Sequence, residues 1–287
     1  MRIQLKAVML TGLVLLAGCR PTPGPTPVPS GRVRVASLAP SVTEIVCAIG
    51  AADLLVGRTT ACDYPPDVVA KVPVIGGFGA PSLERLLAIR PDIVLYPDLA
   101  DASIGPKLDR AGLRHARIAC TRLNDIPAAI RTVGGHLHRE KPANLLADEL
   151  TRQIGAARAS AATGQCPRVL VLIWNDPLTA AGRNSFLSEV VALAGGRNVG
   201  DDIARDYFQV SGEWVLTRNP DVVLCFFMAN GGSVRQSVMQ LPGWTRVKAV
   251  ETGRVYDGFD NNLILRPGPR VMEGVRAIRA CLARDGS

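Results

Sequence analysis

The sequence predicts an α/β fold of two Rossmann-like lobes with mainly parallel sheets, joined by a single long helix. Three observations carry that expectation: an internal repeat without gaps, a second pair of matched strand–helix units, and a helix-forming stretch between the two halves. Two series of strand–helix–strand units imply two sheets, with helices as the crossover connections.

The repeat is the most informative. Ser82-Leu83-Glu84-Arg85-Leu86-Leu87-Ala88-Ile89-Arg90-Pro91-Asp92-Ile93-Val94-Leu95 is matched in register by Ser211-Gly212-Glu213-Trp214-Val215-Leu216-Thr217-Arg218-Asn219-Pro220-Asp221-Val222-Val223-Leu224. In each copy a Ser N-cap opens a helix of about two turns. A Pro closes it, because the residue before proline is pushed out of the helical region. An Asp and a β-branched run then make a buried strand.

The second pair of units is offset by 145 residues, against 129 for the first, so the halves differ in loop length but keep their order. Ser41-Val42-Thr43-Glu44 reads as a capping box that starts a helix through Ile45, Val46 and Ile49 and stops at Gly50. Its partner runs from Ser185-Phe186-Leu187-Ser188-Glu189 through Val190, Val191 and Leu193 to Gly195-Gly196. Strands precede both, at residues 33–38 (VRVASL) and 168–174 (RVLVLIW). Between the halves, residues 142–162 hold a single glycine, Gly155, among Ala, Leu, Arg and Glu. About 20 such residues make a helix of about 30 Å, long enough to bridge two lobes. The expected boundaries are 33–139 for the first lobe, 140–163 for the bridging helix and 164–287 for the second lobe.

The first nineteen residues decide the compartment. Arg2 and Lys6 precede an uncharged run over residues 7–18, shorter than the roughly 20 residues that span a bilayer. A basic start, a short apolar stretch and a small-residue exit describe a cleavable export signal. The exit, Leu16-Ala17-Gly18-Cys19, resembles the lipobox of bacterial lipoproteins, which implies that Cys19 is lipidated. Residues 20–32 (RPTPGPTPVPSGR) then form a semi-rigid spacer that holds the body off the membrane. The protein is therefore expected in the periplasm or at the cell surface.

The formal charge of +8 falls by two, to about +6, when Arg2 and Lys6 leave with the signal. An exported protein of this charge favours anionic ligands or surfaces mildly, and nucleic acid is not an expected partner. Beyond Cys19 the cysteines are Cys47, Cys62, Cys120, Cys166, Cys225 and Cys281, with no CxxC pair, so neither a zinc site nor a thioredoxin-type motif is indicated. Disulfides are permitted outside the cytoplasm, and the spacing selects none of the fifteen complete pairings.

Catalytic motifs are missing: the chain has no GxSxG, no HExxH and no GxxxxGK[ST], and Gly76-Gly77-Phe78-Gly79 lacks the dinucleotide fingerprint. Of the three histidines, His136 and His138 lie two residues apart in a helical stretch and point different ways, a poor metal pair. A binding protein without cofactor or metal is the expectation, with an anchored hydrolase the remote alternative.

Binding candidates follow from strand ends, where open α/β sheets bind ligands. Tyr96 and Trp174 sit at the carboxyl ends of expected strands, and Tyr64, Phe78 and Tyr207 in loops beside them, in a chain with only thirteen aromatics. Such walls suit a flat hydrophobic ligand. Arg58, Arg183, Arg205 and Arg266 are placed to meet an anionic group, Arg266 foremost because Asn261 and Asn262 stand beside it.

The stretches Ser37-Leu38-Ala39-Pro40-Ser41-Val42-Thr43-Glu44, Cys62-Asp63-Tyr64-Pro65-Pro66, 81–95, Ala194-Gly195-Gly196-Arg197-Asn198-Val199 and Arg266-Pro267-Gly268-Pro269-Arg270 resemble the class III periplasmic binding proteins. Those serve ABC importers of vitamin B12, haem and ferric siderophores. Asp63-Tyr64-Pro65-Pro66 is most like the vitamin B12 (cobalamin) binders of that family, in which the tyrosine lies against the corrinoid. The resemblance implies a monomer that hands cobalamin, a related corrinoid, a ferric siderophore or haem to an ABC permease dimer with its ATPase subunits. It also implies that Glu84 and Glu213, at matched places in the repeat, are the docking acids, one for each permease subunit.

Overall fold

A computed structural model describes residues 32–161, 166–227 and 233–283. The export signal, Cys19 and residues 20–31 of the spacer lie outside the described residues. In the first half, β1 (Val35–Ser37) leads to α1 (Pro40–Ala48), β2 (Leu55–Arg58) and α2 (Pro66–Val69). A small hairpin of β3 (Gly76–Gly77) and β4 (Ala80–Pro81) then enters α3 (Leu83–Ile89). After it come β5 (Ile93–Pro97), α4 (Ile104–Arg110), β6 (His115–Ile118) and α5 (Asp125–His136). The four long strands form one parallel sheet in the order β2-β1-β5-β6.

The bridging helix is α6 (Glu140–Ala161). Beyond it lie β7 (Arg168–Asn175), β8 (Leu178–Ala181), α7 (Phe186–Ala194), β9 (Arg197–Asn198), β10 (Tyr207–Gln209), α8 (Gly212–Arg218), β11 (Val222–Cys225) and β12 (Val255–Tyr256). The second sheet runs β10-β8-β7-β11-β12, with β9 also on β7. Strands β7, β9, β11 and β12 are parallel, while β8 is antiparallel to both its neighbours.

The repeat is deeper in the structure than in the sequence. The Ser82 hydroxyl accepts from the Arg85 amide at 3.4 Å, and the Ser211 hydroxyl from the Trp214 amide at 3.1 Å. Both helices end on a left-handed residue before the proline, Arg90 at φ 47° and Asn219 at φ 41°. Asp92 and Asp221 then accept from the amides of Arg34 and Arg168, each at 2.8 Å, pinning β5 to β1 and β11 to β7 in the same way. The second unit also caps as expected: the Ser185 hydroxyl accepts from the Ser188 amide at 3.1 Å, and Gly195 closes α7 at φ 95°.

The capping box expected at Ser41 is not formed. Helix α1 starts two residues earlier, with Pro40 in its first turn, Ala39 as N-cap and no side-chain cap. Proline's fixed φ already suits the first helical position, so the helix begins there. That frees Glu44 for another role.

Helix α6 buries Ala143, Ala147, Leu150, Ile154 and Ala157, alternating steps of four and three along one face. It packs along α5 and against α7. One apolar cluster runs from Val35 and Ile93 under the first sheet, through this face, to Val169 and Val222 under the second. The bridging helix is thus the middle of a shared core.

Candidate ligand-binding site

The carboxyl ends of the strands from both sheets border one cavity of ≈540 Å³. The first half supplies Leu99, beyond β5, and Cys120, Thr121 and Arg122, beyond β6. The second supplies Ile173 of β7, residues Asn184–Leu187 at the start of α7, Asp206 and Tyr207, Phe226 beyond β11, and Leu265 and Pro267. This is where a doubly wound sheet offers space to a ligand, and the volume lies in the range of small-molecule sites. Among the described residues the wall is largely apolar. Leu99 and Leu265 are exposed at its rim, and Phe226 is backed by Phe259 at 5.0 Å between ring centroids.

Of the five expected aromatics, Tyr207 alone among the described residues lines this cavity. It also borders a broader groove of ≈970 Å³ along β10, with Asp202, Arg205 and Phe208. Burial, and secondarily Asp206, pushes its phenol pKa up. Trp174 is 57% exposed at the end of β7, its indole N–H donating to the Asp176 carbonyl at 2.8 Å. Phe78 is exposed in the β3–β4 turn, where Gly79 approaches Ala100, next to Leu99 of the cavity wall.

Tyr64 and Tyr96 are placed differently. The Arg270 guanidinium covers one face of Tyr64, 3.6 Å from the ring centroid, a cation–π contact, and the residue is 39% exposed. Tyr96 packs with His115, centroids 5.6 Å apart, in the cluster of Val94, Ile104 and Leu108 on one side of the first sheet. Alternation along β5 explains this, because Tyr96 shares its face with Val94 and not with Leu95.

The arginines largely serve the scaffold. Arg58 donates to the carbonyls of Val69, Thr59 and Cys62. Arg183 and Arg205 are exposed, and Arg205 borders the broader groove. Arg266, expected to meet the ligand, is spent on protein: it forks onto Asp63 at 2.6 and 3.1 Å and reaches Glu44 at 3.3 Å. Those bonds hold the Asp63 carboxyl below its ordinary pKa. The cation on the cavity wall is Arg122, which no local pattern marked. Glu84 and Glu213 are both exposed in the first turns of α3 and α8, without an ion pair among the described residues.

Cys47, Cys62, Cys120 and Cys225 are free thiols. Burial pushes Cys120 up to about 12 and Cys47 up to about 11, so neither ionises at neutral pH. No group of three or more His, Cys, Asp or Glu side chains that could hold a metal ion occurs among the described residues. No helix there is long and apolar enough to cross a membrane.

The chain belongs to the periplasmic binding protein family, whose model matches residues 35–261, and its architecture is that of the class III members. It is accordingly a substrate-binding protein and not an enzyme. It is 27% identical over 262 residues, 88% of this chain and 80% of the relative, to the uncharacterized ABC transporter substrate-binding lipoprotein YvrC of Bacillus subtilis. It is 28% identical over 280 residues, 96% and 94% of the two chains, to the vitamin B12-binding protein of Pectobacterium atrosepticum. Among solved structures, it is similar to the periplasmic heme-binding protein RhuT from Roseiflexus sp. RS-1, with a TM-score of 0.77 and 27% identity over 88% of this chain and 98% of that one.

Proposed function

We propose that this chain is the substrate-binding lipoprotein of an ABC importer, which captures cobalamin or a related corrinoid in the cavity between its halves. The observation that carries the reading is that cavity: largely apolar, at the carboxyl ends of both sheets, with Tyr207 on its wall and Phe78 near its rim. Tyr64, Trp174 and Tyr96 are proposed as further ligand contacts, with Tyr96 behind the first-lobe wall. Arg266, which stands between the wall residues Leu265 and Pro267, is proposed to border the ligand while bonded to Asp63 and Glu44. Likeness to a vitamin B12-binding protein over nearly the whole chain supports the corrinoid.

Haem or a ferric siderophore is the second reading, favoured by likeness to a heme-binding protein of known structure. Against haem, no imidazole or thioether occurs among the described wall residues.

Cys19 carries the anchor in this reading, residues 33–139 and 164–287 form the lobes on either side of 140–163, and a monomer docks Glu84 and Glu213 onto a permease dimer. The test is the visible spectrum of protein repurified after mixing with cyanocobalamin, haem or a ferric siderophore. Retention of cyanocobalamin alone is expected. Retention of haem alone would move the assignment to the second reading.

A further inference from the structure

Glu44 and Glu189 lie 145 residues apart, at the same register of the matched strand–helix units, on α1 and α7. Each carboxylate is held by the opposite half of the chain. Glu44 accepts the fork of Arg270, Nε at 2.9 Å and Nη2 at 3.0 Å, with Arg266 Nη1 at 3.3 Å. Glu189 accepts from Arg122 through Nε at 2.9 Å and Nη2 at 2.6 Å, and from the Leu123 amide at 2.7 Å. The pattern is reciprocal, each repeat's acid bound by the other half's base. Helix-start acids that gain only from the macrodipole remain in solvent. Glu44 is instead 3% exposed, and a charge so buried is tolerated only when paired and hydrogen-bonded.

The two junctions are unequal. Arg266 and Arg270 are about as buried as side chains of an interior pair, at 16% and 15% exposure, whereas Arg122 is 42% exposed. Around Glu44 the contact is widened by Arg266 on Asp63 and by Asn262, whose amide donates to Asp63 at 3.2 Å. Around Glu189 it coincides with the cavity: Arg122 and Asn184 both line the wall, joined by a 2.6 Å bond from Nη1 to the Asn184 carbonyl. Any change of separation at this second junction therefore moves wall atoms.

We propose that Glu44 and Glu189 form a reciprocal pair of inter-lobe clasps that fix the width of the cleft, the Glu44 clasp lasting and the Glu189 clasp the first to yield. They are positioning residues, acting on a ligand through the separation of the walls. With the continuous core along α6, the clasps leave the halves little freedom to move apart. That such a frame serves to present a preformed site rests on the binding role proposed above; the frame itself is testable without any ligand.

The Leu123 amide is the reporter, because its bond to Glu189 crosses the junction. Native-state hydrogen exchange at Leu123 is measured in the ligand-free wild type and in Arg122→Gln, Arg270→Gln and the double variant. Arg122→Gln leaves the Leu123 acceptor in place, so exchange at this amide rises, by about tenfold, only if the junction opens more often. Arg270→Gln removes a bond on the other clasp, and it too raises Leu123 exchange, by about tenfold or more, if one rigid frame joins the two. The double variant exceeds either single variant by more than the product of their effects, since each clasp holds while the other is broken. Unchanged Leu123 exchange in Arg270→Gln, with loosening confined to residues 61–64, overturns the proposal, as does an equal rise over every amide of the chain. Should Arg270→Gln fail to fold, Asn262→Ala weakens the same junction more gently, and the same outcomes decide.

Discussion

The two halves of the chain repeat one another on the outside and diverge at the cleft. Ser82 and Ser211 cap equivalent helices, Arg90 and Asn219 end them in the same left-handed turn, and Asp92 and Asp221 bind equivalent amides. At the cavity the symmetry is lost: among the described residues the first half contributes four of the lining side chains and the second ten, including all three aromatic rings of the wall, Phe186, Tyr207 and Phe226. The second sheet also carries the antiparallel strand β8 and, beyond it, β10, which have no counterpart in the four-stranded sheet of the first half, and Tyr207 opens β10. The frame is thus common to the two halves, while most of the described cavity wall comes from the second.

The largest expected effect tests the frame. Glu44→Gln leaves two buried guanidiniums short of a partner and should lower the unfolding free energy by about 3–5 kcal/mol. Glu189→Gln, in the more exposed clasp, should cost about 1 kcal/mol. Denaturant unfolding of both variants measures the difference, and equal losses would break the distinction between a deep and a shallow clasp.

Acid should sharpen the same contrast. Because hydrogen bonds from Arg266 lower the folded-state pKa of Asp63, its contribution is complete above the unfolded carboxylate pKa and is lost as pH falls through the folded value. The Glu44 junction should therefore weaken below about pH 4. Asp63→Asn should flatten the stability–pH profile over that range; an unchanged profile would place the acid sensitivity elsewhere.

The smallest effect on the folded protein is expected on the outer face. Glu84→Ala and Glu213→Ala remove exposed carboxylates and should each change stability by less than about 0.5 kcal/mol. Docked and desolvated charges are worth more, so the double variant should lose uptake through its cognate permease while retaining ligand affinity. Full uptake by the double variant would reduce both residues to helix-start acids.

How much was legible in the sequence follows the range of each interaction. The caps at Ser82, Ser185 and Ser211, the proline-closed helix ends, the run of α6 and the strand ends are written within a few neighbouring residues and were expected from them, as was the family through its motifs, whereas the cap expected at Ser41 gave way to Pro40 at the start of α1. Glu44 looked like a capping acid because its true partner, Arg270, stands 226 residues away and no local pattern announces such a pair. Arg122 was missed for the same reason. Arg266 lies between the wall residues Leu265 and Pro267, yet its donors are taken by Asp63 and Glu44, acids whose approach only the tertiary fold creates. The burial of Tyr96 was readable in principle: in a strand, its alternation with Leu95 sets it beside Val94.

The claim that binding centres on the second-half wall is tested most directly by calorimetric titration of cyanocobalamin into the wild type, Tyr207→Ala and Tyr96→Ala. The account predicts one ligand per chain, a loss of about 1–3 kcal/mol for Tyr207→Ala, or about 5- to 150-fold in affinity, and a smaller loss for Tyr96→Ala. Unchanged affinity in Tyr207→Ala, with a large loss in Tyr96→Ala, would contradict it and move the ligand off this wall.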